Sequence, residues 1–129
     1  MEAAILIVDD DPDTLDMLAD FFRRCPYEIR KAPDALAALS KLDDRVKLII
    51  TDEEMPCISG SDFRNMVKTK YPNLPVIGIT GLRSIDHNDF KNHFDDALFK
   101  PFRLASLRAT VARFLLFFRE GRREEAKAR

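Results

Sequence analysis

The sequence predicts an α/β fold with a mainly parallel sheet, and three observations carry that prediction. Short apolar runs rich in β-branched residues, at 5–8, 46–50 and 76–79, read as strands buried on both faces. Each run stops at polar residues and is followed by a segment with helical spacing. This strand-to-helix alternation occurs five times, which implies right-handed crossovers and helices covering both faces of one sheet.

Residues 5–8 end abruptly at Asp9-Asp10-Asp11-Pro12. Pro12 suits a first helical position with Asp11 as its cap, and Leu15, Leu18, Ala19 and Phe22 recur at helical spacing until Cys25-Pro26 closes the segment. Residues 28–32 read as a weak strand, 34–42 as an Ala/Leu-rich helix, and 46–50 as a strong strand running into Thr51-Asp52. A turn-rich loop leads from Met55 to Gly60. Phe63, Met66, Val67 and Tyr71 then mark a third helix, which Pro72-Asn73-Leu74-Pro75 breaks. Residues 76–79 form a fourth strand ending at Thr80-Gly81. Residues 84–94 hold a short helix and 97–99 a short strand. A long last helix at 104–118 gathers Leu104, Leu107, Val111, Phe114, Leu115 and Phe118 on one face.

A length of 129 residues fits one domain, and 46% hydrophobic with 33% charged residues is a globular composition. The formal charge of -1 gives no excess of Lys and Arg for a general grip on nucleic acid. Its distribution is uneven. Seven acids and no Lys or Arg lie in the first 22 residues, whereas the tail at 119–129 carries five bases and three acids and reads as a charged helix extension or linker stub after a domain at 1–118. The start lacks a basic region, and its apolar run stops too soon for a signal peptide or a membrane span, so a cytoplasmic chain is expected. Cys25 and Cys57 show neither zinc-ligand spacing nor a disulfide framework and read as reduced thiols.

In α/β sheets, ligands bind beyond the carboxyl ends of the strands. The residues just past the strong strands are Asp9 and Asp10, Asp52, Thr80 and Lys100. Crowded carboxylates repel one another, and a hard divalent ion such as Mg2+ suits an all-oxygen surrounding. Lys100 offers a point charge and Thr80 a hydroxyl donor to phosphoryl oxygens, so the set favours phosphoryl transfer. Neither His87 nor His93 follows a strand, which leaves histidine general-base chemistry without an agent.

The ordered motifs Ile-Leu-Ile-Val-Asp-Asp-Asp at 5–11, Leu-Ile-Ile-Thr-Asp-Glu-Glu-Met-Pro at 48–56 with Gly60, Ile-Gly-Ile-Thr at 77–80 and Phe-Lys-Pro-Phe at 99–102 resemble the response-regulator receiver domain over residues 3–118. That resemblance implies a doubly wound, flavodoxin-like parallel sheet of strand order 2-1-3-4-5. It implies that Asp52 is a phosphoacceptor charged by a sensor histidine kinase or phosphotransfer protein. Mg2+ would be bound by Asp10 directly, Asp9 through water, Asp52, and Glu54 by its backbone carbonyl. Thr80 and Lys100 would hold phosphoryl oxygens, and Lys100-Pro101 would be cis. The chain would then be a switch that catalyses only its own phosphorylation and slow dephosphorylation, with no direct role for nucleic acid or membrane.

Two departures qualify the resemblance. Ala97 stands where the family places an aromatic ring that follows the threonine, with Phe99 and Phe102 out of register to replace it, and the interval of 20 positions from Thr80 to Lys100 is short for the family. Gly81 should leave the pocket open and its loop mobile. Asp11 and Asp13 are accounted for by helix capping and the helix dipole. Glu53 should face solvent, while the Glu54 side chain should line the entrance and tune access of phosphodonors. Leu116 and Phe117 widen the apolar surface of the last helix beyond its core stripe, as a dimer or output surface would. The alternatives are a receiver-like interaction module without regulated phosphorylation and a haloacid-dehalogenase-like phosphatase. The phosphatase would use Asp52 with Glu54, although its nucleophile normally follows the first strand.

Overall fold

The computed structural model describes residues 3–81 and 87–115. Five strands, β1 (Ala4–Val8), β2 (Glu28–Ala32), β3 (Val46–Asp52), β4 (Val76–Thr80) and β5 (Asp96–Phe99), form one parallel sheet in the order β2-β1-β3-β4-β5. They alternate with α1 (Pro12–Phe21), α2 (Ala35–Ser40), α3 (Gly60–Lys70), α4 (His87–Asn92) and α5 (Leu104–Ala112). The predicted class and strand order are therefore those observed.

Alternation along the strands divides the core in two. On one face Leu6, Val8, Ile49 and Val76 meet Ala35, Phe63, Val67, Phe90 and Phe94. Across the sheet Ile5, Ile7, Ile50 and Ile77 meet Leu15, Leu18, Phe22, Leu107 and Val111. Central strands covered on both faces need no polar alternation, which is why β1 and β4 are buried along their whole length.

The helix starts follow their caps. Asp11, in extended conformation, accepts from the Asp13 N–H, and Pro12 opens α1. Asp34 caps α2 by accepting from the Ala37 N–H at 2.8 Å, and so precedes the helix it was expected to begin. That helix also stops at Ser40 rather than Leu42, because the chain turns there around Asp43, whose Oδ1 accepts from the Arg45 N–H at 2.9 Å. Over the outer strand β2, Arg30 contacts Glu28 and Asp43 and donates to the Lys41 carbonyl at 2.8 Å, while the Lys41 ammonium donates to the Lys31 carbonyl.

Two apolar residues of the predicted helical stripes are not buried. Met66 is 44% exposed, since steps of ~100° per residue put it about a quarter-turn from the Phe63–Val67 face. Leu104, the first residue of α5, is 39% exposed and lines a surface concavity with Met17, Pro101 and Phe102. Helix α5 ends at Ala112 rather than continuing toward 118 as predicted: Arg113 and Phe114 form a turn, with Phe114 half-buried and Leu115 buried. The predicted roles of Leu116, Phe117, Phe118 and the tail at 119–129 lie outside the described residues.

Candidate functional site

Strand order decides which side chains meet. With β1 beside β3, the pairing of Val8 with Thr51 brings the residues following β1 alongside the end of β3. Asp9, 2% exposed, is tied by its N–H to the Ala32 carbonyl at 3.1 Å, and its Oδ1 accepts from the Asp11 N–H at 2.9 Å. Asp10 is exposed beside it. Asp52, 5% exposed, closes β3, and its Oδ1 accepts from the Glu53 N–H at 3.1 Å. Carboxylate oxygens of Asp9, Asp10 and Asp52 all lie within 4.8 Å of one another.

The α3 start presses on this centre. A Cβ on Gly60 would lie 2.3 Å from the Asp52 carbonyl oxygen, a separation that no side chain tolerates, so only glycine lets α3 begin here. Ser59 caps the helix, accepting from the Asp62 N–H at 3.1 Å. Glu53 does not point into solvent as expected. Its half-buried carboxylate accepts from the Ser61 N–H at 3.0 Å and from the Ser61 hydroxyl, which satisfies donors in the first turn of α3. The sequence signal for this role is Gly60-Ser61 at a helix start, a serine that a nearby acid can serve.

The opposite wall comes from β4 and β5. Lys100 donates its backbone N–H to the Thr80 carbonyl at 2.8 Å and precedes a cis bond to Pro101. Its ammonium stands 3.6 Å from Asp52 Oδ1. Thr80, 1% exposed, donates its hydroxyl to Glu54 Oε1. The Glu54 side chain therefore has a specific partner at the entrance it was expected to line. Gly81 has no positive φ, and a methyl group there would rest on the Lys100 stem at 3.5 Å.

Burial is the largest influence on the acids. It raises the Asp52 carboxyl from 3.8 to about 7, with the Asp9 carboxylate adding to the rise and Lys100 opposing it. Asp9 is also raised, first by burial, against the hydrogen bond from Asp11. Two acids that resist ionisation together, with a third at hand, form an all-oxygen donor set whose repulsion a small divalent cation would relieve.

Behind Thr80, Ala97 pairs with Gly78, and Phe99 pairs with Thr80. Phe102 packs in the cluster on the other sheet face, as its register predicts, but Phe99 is the direct cross-strand neighbour of Thr80 and so is not out of register. Phe94 lies where a Gly78 Cβ would come within 2.5 Å of its ring. Phe90 joins Phe94 at 4.9 Å and Phe99 at 5.5 Å between ring centroids. The space beside Ala97 is thus flanked by three aromatic rings from α4, β5 and the segment between them.

Comparison with known proteins places these features in company. A family model described as the response regulator receiver domain matches residues 5–112. The chain is 34% identical over 86% of its length to the uncharacterized transcriptional regulatory protein YrkP of Bacillus subtilis, covering 48% of that protein. It is 33% identical over 88% of its length to an uncharacterized 14.6 kDa protein of Leptolyngbya boryana, covering 91% of it. The solved structure of the chemotaxis response regulator CheY4 of Vibrio cholerae superposes with a TM-score of 0.77 at 28% identity, over 89% of this chain and all of that one. Against several curated relatives, YrkP among them, the chain spans about half the length or less.

Proposed function

Because the chain belongs to the response regulator receiver domain family, a signalling family rather than a family of catalytic enzymes, we propose that it is a phosphorylation-dependent switch with Asp52 as phosphoacceptor. One observation carries the reading: a buried carboxylate at the end of β3 stands among two further acids and an ammonium 3.6 Å away. The acids alone would make a cation site. Adding Lys100 and the Thr80 hydroxyl makes a surrounding for a phosphoryl group as well.

The ionised Asp52 Oδ attacks phosphorus on a phosphohistidine of a sensor kinase or phosphotransfer protein. An O–P bond forms as the P–N bond breaks, and its electron pair returns to the donor's imidazole nitrogen, which takes a proton from solvent. Lys100 faces the negative phosphoryl oxygens, and Thr80 can donate its hydroxyl to one of them. Asp9, Asp10 and Asp52, with the Glu54 backbone carbonyl, would hold Mg2+, which supplies positive charge against the transferring group when bound. The product carries roughly -1.5 to -2 charges, on a bulkier group, where a single carboxylate charge stood, enough to bias a two-state surface.

The proposed nucleophile closes the third strand rather than following the first, and the family match is to receivers, so the phosphatase alternative gains no support. The reading implies a cytoplasmic chain; among the described residues no helix is long and apolar enough to cross a membrane. The test is incubation with acetyl phosphate and Mg2+ followed by intact mass measurement. A gain of one phosphoryl group that Asp52→Ala lacks supports the proposal, and no gain at saturating donor and metal overturns it.

A further inference from the structure

We propose that Glu54 is a latch on Thr80: its carboxylate holds the Thr80 hydroxyl in the unphosphorylated chain and must release it before that hydroxyl can serve a phosphoryl group on Asp52. The inference rests on Asp52 being the phosphoacceptor, and it assigns to the Glu54 side chain a task separate from its backbone carbonyl. A threonine hydroxyl carries one proton and gives it fully to one acceptor at a time. That proton is directed to Glu54 Oε1, and a charged acceptor is a strong one. Thr80 itself is 1% exposed at the end of β4, with its carbonyl held by the Lys100 N–H, so its main freedom is rotation of a stiff β-branched side chain.

Glu54 is thus a positioning residue that acts through Thr80. Two acceptors, Glu54 and the arriving phosphoryl oxygen, compete for one donor, and the hydroxyl's transfer between them is part of the cost of accepting the group. A latch differs from simple repulsion of an anionic donor by Glu54. Repulsion would operate whatever residue stood at position 80, whereas a latch needs the hydroxyl.

The experiment follows phosphorylation of the full chain by acetyl phosphate with Mg2+, by intact mass against time. Wild type, Glu54→Ala, Thr80→Val and the double variant are compared. Glu54→Ala is expected to accelerate acceptance about fivefold when Thr80 is present, the factor of one hydrogen bond, and to leave the rate unchanged when Val replaces it. Glu54→Gln keeps an acceptor oxygen for the hydroxyl without the charge, so its rate should fall between those of wild type and Glu54→Ala. Equal acceleration in both backgrounds, an equally fast Glu54→Gln, or no acceleration in Glu54→Ala overturns the latch. A wild type that gains no phosphoryl group instead removes the phosphoacceptor reading beneath it, an outcome visible before any variant is measured.

Discussion

Lys100 Nζ lies 3.6 Å from Asp52 Oδ1, yet the Asp52 carboxyl remains raised to about 7. Burial and the Asp9 carboxylate outweigh the ammonium, which is itself partly solvated. The ammonium therefore does not by itself compensate for burying this carboxylate beside Asp9.

A pH dependence of stability follows. Between 3.8 and about 7 the folded chain keeps a proton on Asp52 that the unfolded chain has released. Raising pH through that window favours unfolding, and the stability linked to this group, complete below the ordinary carboxylate range, is lost by about 7. Asp9 acts in the same direction, whereas the lowered Asp11 and Asp43 act oppositely and only below their ordinary range. In chelator, Tm should fall from about pH 4.5 to about pH 7.5, with a smaller fall in Asp52→Asn. Parallel curves for the two proteins would remove Asp52 from the explanation.

Divalent cation should reverse that loss. Mg2+ at ten times its Kd is expected to stabilise the folded chain by about 1.4 kcal/mol at neutral pH. Asp9→Asn, which removes a repelling charge, should be more stable than wild type in chelator yet respond less to Mg2+. Thermal melts with and without the ion check both signs. An undiminished Mg2+ response in Asp9→Asn would exclude that residue from the site.

The two confined glycines should behave differently on substitution. Gly60→Ala sets a methyl group against backbone, 2.3 Å from the Asp52 carbonyl oxygen, and should cost roughly 3 kcal/mol or more with no neighbouring side chain able to relieve it. At Gly78 the three atoms nearest to an added methyl all belong to the Phe94 ring. A second change, Phe94→Leu, should recover part of the Gly78→Ala loss. Denaturant melts of the single and double variants measure the coupling, and additivity would show that the ring is not the obstacle.

Glu53 and Glu54 are neighbours with opposite tasks. Glu53→Ala should cost about 1 kcal/mol through loss of its bonds to Ser61, leaving phosphorylation by acetyl phosphate nearly unchanged. A large change in phosphorylation rate with unaltered Tm would contradict this division.

These assignments separate what pattern reveals from what packing decides. The buried runs at 5–8, 46–50 and 76–79 announced their strands because a strand covered on both faces must be apolar throughout. Asp9, Asp52, Thr80 and Lys100 were legible because chemistry in a parallel sheet gathers at strand ends. Register across strands was not legible. Phe99 faces Thr80 only because β5 pairs with β4 as it does, a non-local choice that composition does not encode. The Glu53 contact depends on how closely Gly60 lets α3 approach.

The outer strand also shapes behaviour in a crowded solution. Arg30 bridges two acids across β2 and a carbonyl beyond it, and Lys41 occupies the Lys31 carbonyl that an incoming strand would need. Long cationic side chains thus hinder edge-to-edge pairing from this side. That border is therefore a poorer template for an added strand than a bare edge would be.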